Sequence, residues 1–406
     1  MKKILVTLLF LLFGTVANAD CNIKSGSINI LANDFPALRT LVETAKECKG
    51  SADFKVTHSA EHNKIAVPAL TANPSEFSVR VAANSSIVPL MNADLIRPMN
   101  DLVEKYGKGI QESQLITIDG KVMAVAFMAN TQHLYVRTDV LQENGIAIPK
   151  TYEEVVAAAE KIRAAGKMKY PYAAAYKAGW NLAEEFVNMY IGHGGEFFKD
   201  GGAQPNINNA KGVATLNMLK KLADLSNPDY LTHDSEAIKV EWESGNVAIM
   251  TLWASRSGTL LDDEGDAKIT AATKLVAPAT VGGGNIPAAT LWWDGFTLAK
   301  NRSYADAEAS FRAMAHAASS KEMVAKAADQ AVWLVEGFVP GPKSVGVIEA
   351  VKMGAKPYPM LPQMGLMHGA LGSEIVEFLQ GNESAEQALK DVEAAYITKA
   401  KEQGFL

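Results

Sequence analysis

The stretch SINILANDFPALRTLVETAKEC, residues 27–48, contains the repeating unit of the fold. Ser27–Ala32 is a short apolar run that predicts a strand, and Phe35–Cys48 has the periodicity of a helix with one apolar face. The residues of that face are Leu38, Leu41, Val42 and Ala45. Similar pairs follow along most of the chain, for example Phe54–His58 with His62–Ala72. This alternation predicts an α/β fold in which helices flank mostly parallel sheets.

The N-terminus has the order of a secretory signal peptide. Two lysines precede an apolar run at 4–13, and small residues flank Asn18. The run is shorter than the about 20 residues that a membrane span needs. An aspartate directly precedes Cys21, which does not fit a lipid-anchoring signal. We therefore predict a periplasmic protein whose signal peptide, residues 1–19, is cleaved after Ala19.

Cys21 and Cys48 are the two cysteines of the chain, and they lie at adjoining ends of the first strand-helix unit. In such a unit the end of the helix returns beside the start of the strand, which would bring the two side chains together. An exported chain also meets an oxidising compartment. The sequence predicts a Cys21–Cys48 disulfide, and two free thiols are the alternative.

Length and charge restrict the function classes. After cleavage about 387 residues remain, which is too long for one hydrophobic core and predicts two lobes. Those residues include 37 Lys and Arg against 45 Asp and Glu, a net charge near −8. No basic tract is present, so nucleic acid is not an expected partner. No low-complexity linker separates two halves, so the chain is expected to cross between the lobes more than once.

Motifs for catalysis or metal binding are weak. Gly282–Gly284 lacks the lysine and the following helix of a phosphate loop, and 262–266 lacks the spacing of a calcium loop. No Gly-x-Ser-x-Gly motif is present. Glu184 and Glu185 are adjacent on a predicted helix and should point to different faces. We expect no enzyme activity, no cofactor and no metal site.

A series of motifs begins after a predicted hairpin at 117–126. The motifs are YVRTDVL at 135–141, GI at 145–146, PKTYEE at 149–154, GGEF at 194–197, ESGNVAIM at 243–250, WDGFTLA at 293–299 and GFVP at 337–340. In order and spacing, over nearly the whole chain after residue 19, the series resembles extracellular solute-binding proteins of the family that contains maltose-binding protein.

The resemblance implies a type II periplasmic binding protein fold, with two α/β lobes that are joined by several hinge crossings and close over a ligand. It implies an N-terminal lobe of 20–129 plus 293–339 and a C-terminal lobe of 130–292 plus 340–406. The implied function is binding of a sugar or polyol for an ATP-driven (ABC) importer, with its inner-membrane permease subunits as partners. A monomer is expected.

Tryptophans at element junctions are the first candidates for ligand contact, because sugar sites combine aromatic plates with hydrogen-bonding side chains. The resemblance puts a stacking residue at Trp253 and a cleft residue at Trp180. Trp292 and Trp293 lie where the chain should cross between lobes. Since successive strand residues face opposite sides, only one of these two should face ligand.

Polar candidates lie near the same junctions. Arg256 could bridge two hydroxyls with its planar fork, and Asp294 could accept hydrogen bonds from a sugar ring. The other polar candidates follow strand ends, where ligands of open α/β sheets bind, or lie at the first crossing: Asn33, Asp34, Asn84, Ser85, Asn130 and Thr131. The resemblance adds His62 and His368.

Arg256 together with Asp294 favours a neutral, hydroxyl-rich ligand. Two alternatives stay open. One is a charged solute such as an amino-sugar, a sulfonate or an iron complex, bound in the same fold. The other is a secreted hydrolase that uses a pair of carboxylates.

Overall fold

The computed structural model describes residues 21–262 and 265–406, so the predicted signal peptide at 1–19 lies outside the described residues. None of the helices in these two ranges combines the length and the apolar character that a membrane crossing requires.

Strands and helices alternate through the described ranges. The strands there are β1 (Ser27–Ala32), β2 (Asp53–His58), β3 (Val79–Ala83), β4 (Ile96–Arg97), β5 (Leu115–Ile118), β6 (Lys121–Asn130), β7 (Gln132–Arg137), β8 (Tyr172–Ala173), β9 (Ile249–Trp253), β10 (Thr273–Leu275), β11 (Thr290–Ala299), β12 (Val332–Trp333) and β13 (Lys356–Pro357). The α-helices there are α1 (Pro36–Glu47), α2 (His62–Thr71), α3 (Asn84–Asn92), α4 (Asn100–Tyr106), α5 (Thr138–Glu143), α6 (Tyr152–Ala164), α7 (Trp180–Gly192), α8 (Ala210–Ala223), α9 (Ser235–Glu243), α10 (Ser257–Leu260), α11 (Ala267–Ala272), α12 (Tyr304–Ala318), α13 (Lys321–Lys326), α14 (Val345–Lys352), α15 (Met364–Leu379) and α16 (Ala385–Glu402).

The described strands form two sheets. The first has the order β12-β6-β11-β3-β1-β2, with β4 and β13 paired to β11 and β5 paired to β6. The second has the order β10-β7-β9-β8. β6 belongs to the first sheet and β7 to the second, and Thr131 alone separates them. The backbone therefore passes directly from one sheet to the other at this residue.

Both sheets are mixed, so the prediction of mostly parallel sheets was wrong. Parallel pairing joins β1 to β2 and β3, β11 to β13, and β8 to β9. β5 and β6 form an antiparallel hairpin, because Asp119 (φ +50°) and Gly120 (φ +73°) supply the left-handed turn that such a hairpin requires. β11 returns to the first sheet antiparallel to both β3 and β6. Long returning strands and tight hairpins both produce antiparallel neighbours.

The first strand-helix unit illustrates how sequence produces packing. α1 begins with Pro36, whose missing N–H is not needed in the first helical turn. Leu38, Leu41 and Val42 are completely buried, and full burial of each such side chain is worth about 1.5–3 kcal/mol. The helix ends close to Cys21, and Cys48 and Cys21 form a disulfide with their Cα atoms 4.8 Å apart. The predicted disulfide is confirmed.

Separate hydrophobic cores lie at the two sheets. Ile28, Phe127 and Phe311 belong to a core at the first sheet, whereas Val136, Phe186 and Leu371 belong to a core at the second. Helices α2 and α3 pack with a second core of the first sheet, and α7 and α15 pack at the second sheet. A space remains between these two pairs of helices.

Candidate functional site

A cavity of about 190 Å³ lies between helices α2 and α3 on one side and α7 and α15 on the other. Its lining includes Asn63, Arg80, Ser85 and Ser86 from the first sheet and its helices, and Trp180, Tyr358 and His368 from the opposite side. Three residues predicted from the sequence, Ser85, Trp180 and His368, are therefore part of one cavity.

Trp180 reaches this cavity because of a tight junction between two helices. Gly179 precedes α7 with φ +97°, a conformation that favours glycine. A Cβ on Gly372 of α15 would stand only 2.3 Å from the Gly179 carbonyl oxygen, and the Gly179 N–H donates to the Gly372 oxygen at 3.0 Å. Two glycines thus allow α7 to begin directly against α15, and the Trp180 indole is 38% exposed there.

Trp180 is the outermost ring of an aromatic cluster. Its centroid lies 5.6 Å from that of Trp292 and 6.3 Å from that of Trp253, and the last two rings meet edge to face at 5.5 Å. Trp292 is buried and also contacts Tyr358, at 4.5 Å between centroids. The structure therefore brings together three of the four tryptophans predicted from the sequence.

Trp293 lies on the other face of β11. It packs with the core that includes Leu31 and Leu90, away from Trp180 and Trp292. Adjacent residues of a strand point to opposite sides, so this separation follows from the strand geometry.

His368 fixes the cluster from the side of α15. Its Nε2 lies 2.9 Å from the Trp180 carbonyl oxygen, which can only accept, so Nε2 carries the proton and donates. Its Nδ1 then accepts from the Tyr358 hydroxyl at 2.9 Å. Burial lowers the pKa of His368 to about 4, which keeps the ring neutral and this pattern intact near neutral pH.

Arg80 is a cavity residue that the sequence analysis did not single out. It lies in the centre of β3 with 0% exposure, and its Nη2 donates to Asn63 Oδ1 at 2.6 Å. Its Nε and Nη1 atoms are buried without a hydrogen-bond partner. Within FSVRVA, residues 77–82, the arginine looks like an ordinary outward residue of a half-exposed strand. Only the helices packed over this face of the sheet bury it.

Asp294 and His62, which lie beside the Arg80 guanidinium, have shifted pKa values. Burial raises the pKa of Asp294 to about 7, although the positive charges of Arg80 and Arg256 act in the opposite direction. Burial, assisted by the charge of Arg80, lowers the pKa of His62 to about 3. Among the described residues, no ion pair within 4.0 Å joins Asp294 to either arginine, and Asp294 is not part of the cavity lining.

Arg256 lies in the turn Ala254–Arg256 that follows β9, and it is not part of the cavity lining. Its guanidinium carbon is 5.3 Å from the ring centroid of Phe35, the residue that precedes α1. Its Nη1 lies 3.3 Å from Glu236 Oε1, and its Nε is buried without a partner. Arg256 therefore connects the second sheet to the helix layer of the first.

The predicted asparagine and threonine residues at the crossing hold strands together. Asn130 donates from Nδ2 to Ser255 Oγ at 3.1 Å, and Thr131 donates from Oγ1 to the Thr290 carbonyl at 2.8 Å. Asn84 Oδ1 accepts from the Trp293 N–H at 2.8 Å, and its Nδ2 donates to the Leu291 oxygen at 3.4 Å. Their hydrogen bonds hold the backbone segments around the site together.

Asn33 and Asp34 follow β1 as predicted but satisfy local partners. Asn33 Oδ1 accepts from the Asp34 N–H at 2.8 Å, and Asp34 Oδ1 lies 2.6 Å from Arg39 Nη2. Neither side chain is part of the cavity lining.

Glu184 and Glu185 join one buried network behind the aromatic cluster. Glu184 Oε1 accepts from Thr290 Oγ1 at 2.8 Å and from Trp292 Nε1 at 3.1 Å. Glu185 Oε1 accepts from Gln132 Nε2 at 2.9 Å. Burial raises the pKa of Glu185 to about 8 and that of Glu184 well above its ordinary value. The two carboxyls contact β7 and β11, and neither lines the cavity.

Comparison with known proteins gives a consistent result. Residues 43–357 match the model of a family described as bacterial extracellular solute-binding protein. A curated relative from Deinococcus radiodurans, named probable ABC transporter-binding protein, is 31% identical over 193 residues. The matched part covers 46% of this chain and 44% of that relative, so the chain spans less than half the length of that curated relative.

Solved structures share the whole architecture. The maltose-bound MalE3 of T. maritima aligns with a TM-score of 0.80 at 17% identity, over 92% of this chain and 100% of that one. A solute-binding protein of Agrobacterium radiobacter K84 in complex with ribitol gives 0.79 at 18%, over 91% and 97%. One from Agrobacterium vitis S4 with D-mannitol gives 0.75 at 15%, over 94% and 99%. At these identities the likeness concerns the fold, and it confirms the two-lobed α/β architecture.

Proposed function

Because this chain belongs to the bacterial extracellular solute-binding protein family, we propose that it collects a sugar or polyol for an ATP-driven importer. The families and structures that it matches are solute-binding proteins and not enzymes. In this proposal the solute binds in the cleft between two lobes and is handed, chemically unchanged, to the permease subunits of the inner membrane.

The observation that carries the proposal is the exposed indole of Trp180 in a cavity whose other lining residues are partly apolar and partly hydrogen-bonding. The apolar ones are Ala66, Val67, Pro89 and Leu90, and the hydrogen-bonding ones include Asn63, Arg80, Ser85, Ser86, Tyr358 and His368. The CH face of a sugar or polyol can lie on that indole. Arg80, Ser85 and Asn63 offer donors and acceptors to its hydroxyl edge from the opposite wall. Sites that combine one apolar plate with convergent polar groups suit ligands with these two kinds of surface.

The lobes of the proposal are those predicted from the sequence. The N-terminal lobe comprises 20–129 and 293–339, and the C-terminal lobe comprises 130–292 and 340–406. Thr131 between β6 and β7 and the start of β11 would then act as hinge crossings. Rotation about such crossings brings the Arg80 wall against Trp180 and excludes water from the bound solute.

Location and assembly follow from the same proposal. Export with cleavage after Ala19 would release the protein into the periplasm, where it would work as a monomer. N-terminal sequencing of the protein from that compartment should begin at Asp20, and size-exclusion chromatography with light scattering should give one chain.

A thermal-shift screen with the mature chain tests the proposed ligand class. The panel contains neutral monosaccharides, oligosaccharides and alditols, together with the acid and amino derivatives of each. At least one carbohydrate or polyol should raise the melting temperature in a dose-dependent way and be confirmed by titration calorimetry. The released ligand should have an unchanged mass and NMR spectrum. Turnover of the ligand, or a shift only with solutes that have no hydroxyl groups, would refute the proposal.

A further inference from the structure

We propose that the solute is a sugar acid, an aldonate or uronate, and that Arg80 binds its carboxylate. This inference rests on the proposed function and narrows its ligand class. It departs from the neutral ligand that Arg256 and Asp294 alone favoured.

The Arg80 guanidinium is buried with donors that have no partner. The residue is 0% exposed and lines the cavity, and the hydrogen bond from Nη2 to Asn63 is made to a neutral amide. Nε and Nη1 are buried and have no hydrogen-bond partner. Transfer of an arginine charge from water into a protein is unfavourable unless an opposite charge or hydrogen bonds replace the lost solvation. A structure that buries this charge beside an open cavity therefore has a place for a partner.

The charged groups near the Arg80 guanidinium do not form an ion pair with it. Arg80 lines the cavity as a cation, and the neighbouring acid is Asp294, which forms an ion pair with neither Arg80 nor Arg256. Arg256 lies outside the cavity lining and has Glu236, whose side chain is 64% exposed, as its ion-pair partner. His62, beside Arg80, presents a buried Nδ1 without a partner and carries no compensating charge. Arg80 thus lines the cavity without an ion-pair partner in the part of the chain that the structure describes.

A carboxylate suits the position beside Arg80. It supplies one negative charge and two acceptor oxygens, and its hydrogen bonds to a guanidinium are roughly twice as strong as those of a neutral hydroxyl. A phosphate carries up to two charges, and Asp294 would repel it more strongly than it repels a carboxylate. The remaining hydroxyls of a sugar acid can contact Ser85, Asn63 and the Trp180 indole.

The test compares matched pairs by titration calorimetry on the mature chain. Each pair contains a neutral compound and its acid: glucose with gluconate and glucuronate, and galactose with galactonate and galacturonate. In at least one pair the acid should bind about tenfold more tightly or better, since charge-assisted bonds to a buried partner are lost in the neutral compound.

Variants of Arg80 connect that preference to this side chain. Arg80→Gln should remove most of the preference for the acid, so that the ratio of acid to neutral affinity falls from about tenfold towards one. Arg80→Lys retains the charge and should keep part of the preference. Arg163→Gln, on α6 and outside the cavity lining, is the control for replacing an arginine by glutamine. Melting temperatures without ligand establish that each variant is folded.

The outcomes separate the two proposals. An acid preference that Arg80→Gln abolishes supports the sugar-acid assignment. Neutral sugars or alditols that bind as tightly as their acids overturn it and leave the proposed function standing. An acid preference that survives in Arg80→Gln overturns the role of Arg80, and the comparison of acid with neutral in the unaltered chain stays decisive if that variant does not fold. Failure of every sugar, alditol and sugar acid to bind removes the proposed function itself.

Discussion

Trp180 and Trp292 touch each other but differ in what surrounds them. Trp180 is 38% exposed at the start of α7, whereas Trp292 is buried and donates from Nε1 to Thr290 and Glu184. An exposed ring in a cavity contributes mainly to binding, because its removal takes little stability from the folded protein. A buried ring with a satisfied N–H contributes mainly to stability.

Replacing Trp180 by alanine should weaken binding of the cognate sugar or polyol by about 1–3 kcal/mol, through lost stacking area. The ligand-free melting temperature should change little. Trp292→Phe is the matched control: it removes the indole N–H that donates to Glu184 and Thr290 and should lower the melting temperature, at a cost of about 1–3 kcal/mol. Calorimetry and thermal unfolding on both variants give the result. A Trp180→Ala protein with unchanged affinity would show that the ligand lies elsewhere.

Asp294, which lies beside the cavity residue Arg80 but outside the cavity lining, should contribute to binding. Asp294→Ala removes an acceptor for ligand hydroxyls and should weaken binding by about 1.5–3 kcal/mol. Asp101→Ala, on α4 and outside the cavity lining, controls for loss of one surface carboxylate. Titration of the two variants with the same ligand makes the comparison. Equal affinities would exclude Asp294 from the site.

Single residues were predictable where a strand end or a motif marked them. Trp180 and His368 were assigned by resemblance, and Ser85 by its position after a strand. Arg80 was not, because burial in the middle of β3 depends on α2 and α3 packing over it. The hydrogen bonds that engage Asn84 and Asn130 also require a knowledge of which strands become neighbours. Such facts are tertiary and leave no local signal in the sequence.

At the scale of elements, the β1–α1 unit is closed by the disulfide between Cys21 and Cys48, which are 27 residues apart in sequence. Replacing both cysteines by serine should lower the free energy of unfolding by about 3 kcal/mol, since the unfolded chain regains loop entropy. Denaturant unfolding of the variant and of the reduced parent measures this loss. Equal stability of the oxidised and reduced parent would contradict the prediction. Ligand affinity should be retained, because neither cysteine lines the cavity.

Helix α7 carries a buried carboxyl, that of Glu185, which accepts a hydrogen bond from Gln132 of β7. The pKa of Glu185 is about 8 in the folded protein, against about 4.3 in an unfolded chain. Between these two values the folded state holds a proton that the unfolded state has released. The free energy of unfolding therefore falls as pH rises through this window.

Glu185→Gln keeps an oxygen for Gln132 and cannot ionise. The melting temperature of the variant minus that of the parent should increase as pH rises from 5 to 8 and should be largest at pH 8. The difference between variant and parent is the readout, because Asp294 and the buried histidines titrate equally in both. The control Glu160→Gln replaces an exposed residue of α6, and its melting temperature should depend on pH in the same way as that of the parent. If the melting temperature of Glu185→Gln also followed that of the parent, Glu185 would ionise normally.

Elements with a clear apolar period were predicted with accurate bounds, and short or irregular ones were not. Thr151 followed by Glu154 predicts a helix with a capping box, and in the structure the Thr151 hydroxyl accepts from the Glu154 N–H at the start of α6. β8 and β13 have two residues each, too few for any periodicity. The sequence predicts a helix from Leu371 to Gln380, whereas α15 begins seven residues earlier, at Met364. Glycines at 365, 369 and 372 weaken helix propensity there, and packing against α7 overrides it.

On the scale of the whole molecule, several contacts join the helix layers of the two sheets. Asn92 at the end of α3 donates from Nδ2 to the Pro362 oxygen before α15, at 3.1 Å. Pro89 and Gly365 approach each other at the rim of the cavity, and Arg256 lies over Phe35. These contacts connect parts that the backbone joins through crossings such as Thr131. They are the contacts that opening of a two-lobed receptor would break.

Small-angle scattering should detect that opening. A solute that raises the melting temperature in the screen should also lower the radius of gyration, because closure brings α3 against α15. At 100 times its dissociation constant it should add about 2.7 kcal/mol to the free energy of unfolding. A carbohydrate that does not shift the melting temperature serves as the control and should leave the scattering curve unchanged.

Asn92→Ala removes one contact across the rim and should enlarge the ligand-free radius or leave it at the open value, with closure still restored by saturating ligand. Stabilisation without any compaction, in both the parent and this variant, would mean that the solute binds to a cleft that is already closed. The crossings at Thr131 and at the start of β11 would then be rigid connections, and the contacts of α3 with α15 would be permanent parts of the fold.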